Sequence, residues 1–336
     1  MCASAGSGSD VSERTVRQLR IDGGGLSATI VPWGAAIQDL RLAGHGAPLV
    51  LGLADPTAYR SNKNYLGAIA GRYANRIKDG RFAIDGQSFQ GPTNFIGKHT
   101  LHGGTNGYSA REWQVGDVAD DSVTLSLMDE DGAEGFPGAL DVSVTYRLGE
   151  GALQVELRAE TDRATLCNLA QHSYFNLDDG GESDARGHAM QIEADAYLPV
   201  DAEMIPTGRV EPVAGTDFDF RRSRPIDAAA EGLYDHNFCL SAERMALRRV
   251  VTARGASSGV TMEVWTTEPG IQFYTGEYLD SAEGAGLDGR TYRPHAGFCL
   301  EPQTWPDSPN RPYFPQAVLR PGKIYRQLTE YRFRLD

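Results

Sequence analysis

The sequence predicts an all-β protein, one large antiparallel β-sandwich domain. Short runs alternate apolar and polar residues with period two, as strands with one face on a core and one in water require. Glycine (39 residues) and proline (17) punctuate these runs at the density a sheet protein with many turns needs. Apolar residues hardly ever recur at i, i+3, i+4 and i+7, the spacing of a helix packed on a core.

Taken in order, residues 1–13 are small and polar and read as a disordered tail, leaving 14–336 as the domain. Thr15 to Ile21 alternates, offering Val16, Leu19 and Ile21 to a core, and Asp22-Gly23-Gly24-Gly25 is a turn. Strand patterns follow at Ala28–Gly34 and Ile37–Leu42. The clearest hairpin joins Val142–Leu148 to Leu153–Leu157 through Gly149-Glu150-Gly151. Val260–Thr266 and Tyr325–Leu335 repeat the pattern, and only Ala228–Leu233 reads as a helical turn or two. No linker rich in proline, serine or charge divides the chain, and no repeat of roughly 20–50 residues is present.

A formal net charge of −13 on 336 residues argues against a nucleic-acid partner, which needs a basic patch, and against an anionic membrane surface. Neutral substrates fit best. Cys2, Cys167, Cys239 and Cys299 are far apart and form no CxxC motif, so zinc-knuckle and redox motifs are not indicated. The first ten residues lack the basic start and apolar core of a signal peptide. No stretch approaches the ~18 apolar residues of a membrane span. The expectation is a cytoplasmic protein with reduced thiols, monomeric or homodimeric.

Polar clusters interrupt the strands. His172-Ser173-Tyr174-Phe175-Asn176-Leu177 joins an apolar run containing Asn168 to an acidic, glycine-rich loop at 178–187, read as mobile and close to a cleft. A histidine there can be held by a sheet and still face a cleft; alone, it reads as readily as a buried, satisfied ring. Asn75 and Arg76 sit before a turn and carry fixed donors suited to hydroxyls, or to a surface ion pair. His99-x-x-His102 could be half of a metal site, but no HExxH helix or cysteine pair accompanies it, so no metal is expected. Gly103-Gly104 lets a ligand or another backbone approach His102. Asp235 could accept two hydrogen bonds from vicinal hydroxyls, or make an Asx-turn, and Gln272 is the polar member of an alternating strand. Glu301 follows Phe298-Cys299-Leu300 and precedes a proline, which is expected to end pairing. Partial desolvation there would raise its pKa into a general base's range; the alternative is a strand-end glutamate exposed to water.

In this order the clusters resemble the aldose 1-epimerase (galactose mutarotase) family, over roughly Val11 to Phe333. The resemblance rests on Gly-Arg-x-Ala-Asn-Arg-Ile at 71–77, Leu-His-Gly-Gly at 101–104, His-Ser-Tyr-Phe-Asn-Leu at 172–177 and Tyr-Leu-Pro-Val-Asp at 197–201. Ile-Pro-Thr-Gly at 205–208, Asp-His-Asn-Phe at 235–238, Gln-Phe-Tyr-Thr-Gly at 272–276 and Leu-Glu-Pro-Gln at 300–303, with Trp-Pro-Asp behind it, complete the set. It implies a β-sandwich with an open sugar-binding cleft, Glu301 as general base and His172 as general acid. His102 corresponds to a second histidine near the anomeric end; Asn75, Arg76, Asp235 and Gln272 correspond to residues holding the sugar or the catalytic groups. Tyr73 and Gln171 depart from the family pattern and are expected to alter the cleft wall.

The implied reaction interconverts the α and β anomers of free aldohexoses such as galactose and glucose. A base takes the C1 hydroxyl proton, an acid protonates the ring oxygen, and the open aldehyde turns and recloses; no cofactor is required. Both groups acting together predict a bell-shaped pH profile with Glu301 ionised and His172 protonated. Two alternatives stay open. A glycoside hydrolase would use two carboxylates, with Glu301 and Asp235 in those roles. A sugar-binding or sensing protein would keep Arg76 and Asp235 without turnover. A mutarotase for phosphorylated hexoses would want extra basic residues and gets no support from the charge.

Overall fold

The computed structural model describes residues 16–229 and 233–336. The expected tail and residues 230–232 of the expected helical turn at 228–233 lie outside these residues. Strands dominate; among the described residues the only helices are short 3-10 turns such as Pro56–Ser61.

A nine-stranded antiparallel sheet runs in the order Arg224–Pro225, Ala189–Ile192, Arg248–Arg254, Val260–Thr266, Tyr325–Leu335, Ala152–Thr161, Leu140–Gly149, Ser122–Asp129, Gln114–Val118. The predicted hairpin lies within it, with Gly149 opposite Ala152. Glu150 and Gly151 both take positive φ (50° and 73°), the type I′ turn whose twist suits a two-residue hairpin. Val142, Val144, Tyr146 and Leu148 are buried while Asp141 and Arg147 are exposed. The terminal strand Tyr325–Leu335 lies between Ala152–Thr161 and Val260–Thr266. The N-terminal strands are shifted from the expected runs: Leu19–Gly23, Leu26–Val31 and Ala36–Leu42 form a separate three-stranded sheet.

The second large sheet has six strands, in the order Tyr174–Phe175, Phe298–Gln303, Gly270–Tyr274, Asp235–Cys239, Ala196–Tyr197, Glu211–Pro212. Its two faces differ sharply. Phe298, Leu300, Ile271, Phe273 and Phe238 join the core shared with Val142, Val155, Met262, Val264, Tyr331 and Phe333 of the nine-stranded sheet. Phe175 meets Tyr331 with ring centroids 5.0 Å apart, and this aromatic layer joins the sheets. The opposite face carries Cys299, Glu301, Gln272, Tyr274 and Asp235, since alternation sends every second side chain there. One face makes the core and the other makes the site.

Pro302 does not end pairing as expected: Gly270 still pairs with Gln303 beyond it. The Pro302 carbonyl accepts from Gln327 Nε2 (2.9 Å) and the Leu300 carbonyl from Tyr331 Oη (3.1 Å), both from the facing sheet. Those carbonyls point away from the Gly270–Tyr274 ladder, so the missing proline N–H costs no ladder bond. The facing sheet thereby grips the strand on both sides of Glu301.

Candidate active site

Six of the seven polar residues singled out by sequence line one cavity of about 520 Å³: Asn75, Arg76, His102, His172, Asp235 and Glu301. Each is delivered by a different local device. Glu301 comes from the middle of Phe298–Gln303. His172 follows the short strand Ala170–Gln171; its N–H donates to the Ala68 carbonyl (2.9 Å) and its carbonyl accepts from Gly67 N–H (3.0 Å). Asn75 and His102 flank the paired strands Arg76–Ile77 and Thr100–Leu101, both at positive φ (65° and 49°). His102 N–H donates to the Asn75 carbonyl (3.0 Å), and Asn75 N–H donates to His102 Nδ1 (3.2 Å). Gly103 has φ +84°, and a Cβ there would lie 1.9 Å from the Gly71 carbonyl oxygen, so only glycine lets the chain turn under His102.

Glu301 Oε2 lies 3.7 Å from His172 Nε2, and that oxygen is buried with no hydrogen-bond partner among the described residues. Burial pushes the Glu301 carboxyl up to about 8, with the charge of Asp235 adding to the rise and Arg76 opposing it. Burial pushes the His172 imidazole down to about 4. The free site thus holds the reverse of the protonation expected of the active form, in which Glu301 is ionised and His172 protonated. Desolvation penalises both charged forms, so the pair's one proton rests on the carboxyl. The two arrangements hold the same number of protons and differ by one transfer between facing atoms.

Asp235 is held in the opposite state. Arg76 Nη2 donates to its Oδ2 (2.8 Å) and Gln272 Nε2 to its Oδ1 (2.6 Å). Burial alone would raise its pKa, but the Arg76 charge and these bonds bring it below the ordinary value. Gln272 itself does not line the cavity; it sits behind Asp235, between Asn237 and Glu301 on the neighbouring strands. The Arg76 guanidinium lies over the Phe95 ring, 4.8 Å from its centroid. Asp307 N–H donates to the Arg76 carbonyl (3.0 Å), and Asp307 Oδ1 accepts from Lys78 N–H (3.0 Å). The Trp-Pro-Asp run thus braces the segment carrying Arg76.

The two histidines of His-x-x-His part company. His99 is fully buried; its Nδ1 accepts from Asp79 N–H (2.9 Å), and its Nε2 lies 3.2 Å from Glu203 Oε2. Lys98 Nζ also donates to Glu203 (2.7 Å), which ties two turns on the cavity wall together. His102, His172 and Glu301 do bring ligand-type atoms within 4.8 Å of one another. However, the Asn75 N–H on His102 Nδ1 leaves the proton of the neutral ring on Nε2. Burial holds that ring neutral, and the charge of His172 when it is protonated and that of Arg76 act in the same direction. Two free donors then remain, fewer than the three or four protein ligands zinc ordinarily takes.

Sequence reasoning missed the aromatic walls. Tyr65 packs on His102 (centroids 4.6 Å apart) and on His172 (5.6 Å), and Tyr174, Tyr274, Tyr278 and Phe95 complete the lining. Tyr65 stands at φ 56°, a position no periodicity signals. Tyr73 and Gln171 do not alter the wall. Tyr73 is buried beside Ser308 Oγ (2.9 Å), and Gln171 is spent on the Gly67 carbonyl and Ser173 Oγ. The 178–187 loop contributes nothing to the cavity lining. Asp179 Oδ1 accepts from three backbone N–H groups within it, and Asp178 caps residues 256–258.

A family model described as aldose 1-epimerase matches residues 17–332. The chain is 43% identical over 325 residues to the galactose mutarotase of Rattus norvegicus, covering 94% of this chain and 93% of that one. It is 39% identical over 326 residues to the aldose 1-epimerase of Escherichia coli strain K12, covering 92% of each. The crystal structure of an aldose epimerase homologue from C. elegans superposes with a TM-score of 0.89 at 30% identity, covering 95% of this chain and 99% of that one. On a match of this extent, in sequence and in fold, the chain belongs to the aldose 1-epimerase family and is a mutarotase, an isomerase of aldose sugars.

Proposed function

We propose that this enzyme interconverts the α and β anomers of free aldohexoses, galactose and glucose first among them, with Glu301 and His172 moving the protons. The Glu301 carboxylate takes the proton from the C1 hydroxyl while His172 Nε2 gives one to the ring oxygen. The C1–O5 bond breaks, the aldehyde turns about C1–C2, and the same two groups run in reverse to close the ring. Protons balance without an oxidant, reductant or covalent intermediate. The observation that carries this reading is the unpartnered Glu301 oxygen facing His172 Nε2 across 3.7 Å in the cavity. Sugar hydroxyls donating to that oxygen would restore the solvation that favours its ionised form.

Asp235 and Arg76 are the proposed grip on hydroxyls remote from C1, with Asn75 and His102 binding nearer the reacting end. Gln272 acts by orienting Asp235. His102, with its proton on Nε2, offers a donor and stays uncharged. A glycosidase reading, with Glu301 and Asp235 as its two carboxylates, fits less well: both Asp235 oxygens are engaged by Arg76 and Gln272, and His172 facing Glu301 would have no role. Galactose as the preferred sugar follows the names of the mammalian relatives. Residues 14–336 are proposed to work as one domain in the cytoplasm, with Cys167, Cys239 and Cys299 as free thiols.

Polarimetry of freshly dissolved α-D-galactose tests the proposal with the wild type, Glu301→Gln and His172→Ala. Loss of acceleration in both folded variants is expected, each group supplying ~10²–10⁴-fold. Full activity in either would remove that residue from the scheme. Wild-type rates equal to buffer with galactose, glucose, xylose and arabinose would overturn the substrate assignment.

A further inference from the structure

The strand that carries Glu301 offers His172 a second partner. Cys299 stands two residues before Glu301, so alternation along Phe298–Gln303 turns both side chains to the site face. From that one strand they meet the two nitrogens of the same ring. Glu301 Oε2 lies 3.7 Å from Nε2, and Cys299 Sγ lies 3.6 Å from Nδ1. The thiol is completely buried, does not line the cavity and takes no part in the proton transfers above. Burial pushes its pKa well above the ordinary thiol value, so it stays an uncharged S–H.

Two arrangements of this contact are possible. If S–H donates to Nδ1, the neutral ring carries its proton on Nε2, and Nε2 cannot take another from a sugar. If Nδ1–H donates to sulfur, the Nε2 lone pair faces Glu301 and the cavity. Nε2 can then accept a proton and release it while Nδ1 keeps its own. Mutarotation runs in both directions over one ring nitrogen, and only the second arrangement permits that.

We propose that Cys299 is a positioning residue whose sulfur accepts from the Nδ1–H of His172, fixing the tautomer and leaving Nε2 as the only proton-transfer atom. The inference rests on the reading of His172 as the proton donor. A thiol sulfur is a weak acceptor, enough to select a tautomer without the charge that a carboxylate would bring.

The test is long-range proton–nitrogen NMR of enzyme labelled in its histidine nitrogens, with His172→Ala used only to assign the signals. Wild-type His172 is expected neutral at pH 7 with Nδ1 protonated and Nε2 bare. Cys299→Ala should populate both tautomers and lower kcat for galactose roughly tenfold, part of the ~10²–10⁴ a placed acid contributes, with KM unchanged. Cys299→Ser, whose hydroxyl oxygen can accept the same N–H, should keep the Nδ1–H tautomer and recover kcat to within about threefold, on the same scale. A proton on Nε2 in the neutral wild-type ring overturns the proposal even if Cys299→Ala fails to fold. So does a folded Cys299→Ala with an unchanged tautomer and kcat. If His172→Ala retained full activity the acid assignment would fail, and the tautomer spectra would still be legible.

Discussion

Replacing Glu301 with glutamine removes the titratable proton while keeping the side chain's shape, and the structure sets what this does to stability. The folded carboxyl titrates near 8 against an ordinary 4.5. Between those values the unfolded chain has lost the proton and the native chain still holds it, so stability falls as pH rises. At about 1.4 kcal/mol per unit, going from about pH 5 to about pH 8 takes roughly 4 kcal/mol from the wild type. That is a large share of the ~5–15 kcal/mol that holds a typical domain folded. Glutamine does not titrate and escapes the loss. His172 works the other way: its folded pKa near 4 lies below the ordinary 6.5, so its cost grows as pH drops below 6.5. That cost is common to both proteins and cancels in their difference. Urea unfolding of wild type and Glu301→Gln between about pH 5 and 8 should therefore show a gap that widens with pH by roughly 4 kcal/mol in favour of the inactive variant. Parallel stability curves would mean that the carboxyl is solvated or already ionised in the free site, and the burial argument would fall.

Two further perturbations probe the grip and the turn. Asp235→Asn removes the charge that Arg76 and Gln272 hold, and a charged hydrogen bond of ~1.5–3 kcal/mol predicts a KM for galactose raised roughly tenfold or more, with kcat changed only a few-fold. Because the Asp235 charge also helps to hold the Glu301 carboxyl up, the Glu301-dependent limb of kcat/KM should move to lower pH, read from initial rates across pH. Gly103→Ala sets a Cβ against the Gly71 carbonyl at φ +84° and should lower the melting temperature and kcat together; a variant with wild-type melting and turnover would contradict that contact.

What the sequence revealed follows the range of its signals. Alternation is local, so Leu140–Gly149, Ala152–Thr161, Val260–Thr266 and Tyr325–Leu335 were legible to within four residues at either end. The direction of the Glu301 shift was legible too, because its apolar neighbours are adjacent in sequence. The His172 shift was not: it depends on burial by Tyr65 and His102, which arrive from far along the chain. The same limit explains Tyr73 and Gln171, which adjoin the polar clusters while their side chains point away from the cavity. The 178–187 loop looked free by composition, yet its aspartates spend their oxygens on backbone N–H groups, a use that composition does not encode. Tyr65, Tyr274 and Tyr278 resembled ordinary core or loop aromatics until the fold brought them to one cavity.

The strand Phe298–Gln303 links these observations. Period two divides it between Phe298, Leu300 and Pro302 on one side and Cys299, Glu301 and Gln303 on the other, so the residues that anchor it and the residues that react cannot be moved separately. The first set meets the facing sheet, where Tyr331 and Gln327 also hold the two carbonyls flanking Glu301. Of the second set, Cys299 and Glu301 face His172. A slip of one residue would turn Leu300 towards the cavity and Glu301 into the apolar core, where no partner awaits a carboxyl. Register here is fixed by apolar burial on one face, and that fixed register lets a carboxyl remain beside a histidine with one oxygen unpartnered. The core thus stabilises an arrangement that costs folding energy on its own, and the unpartnered oxygen it preserves is the one a sugar hydroxyl would meet.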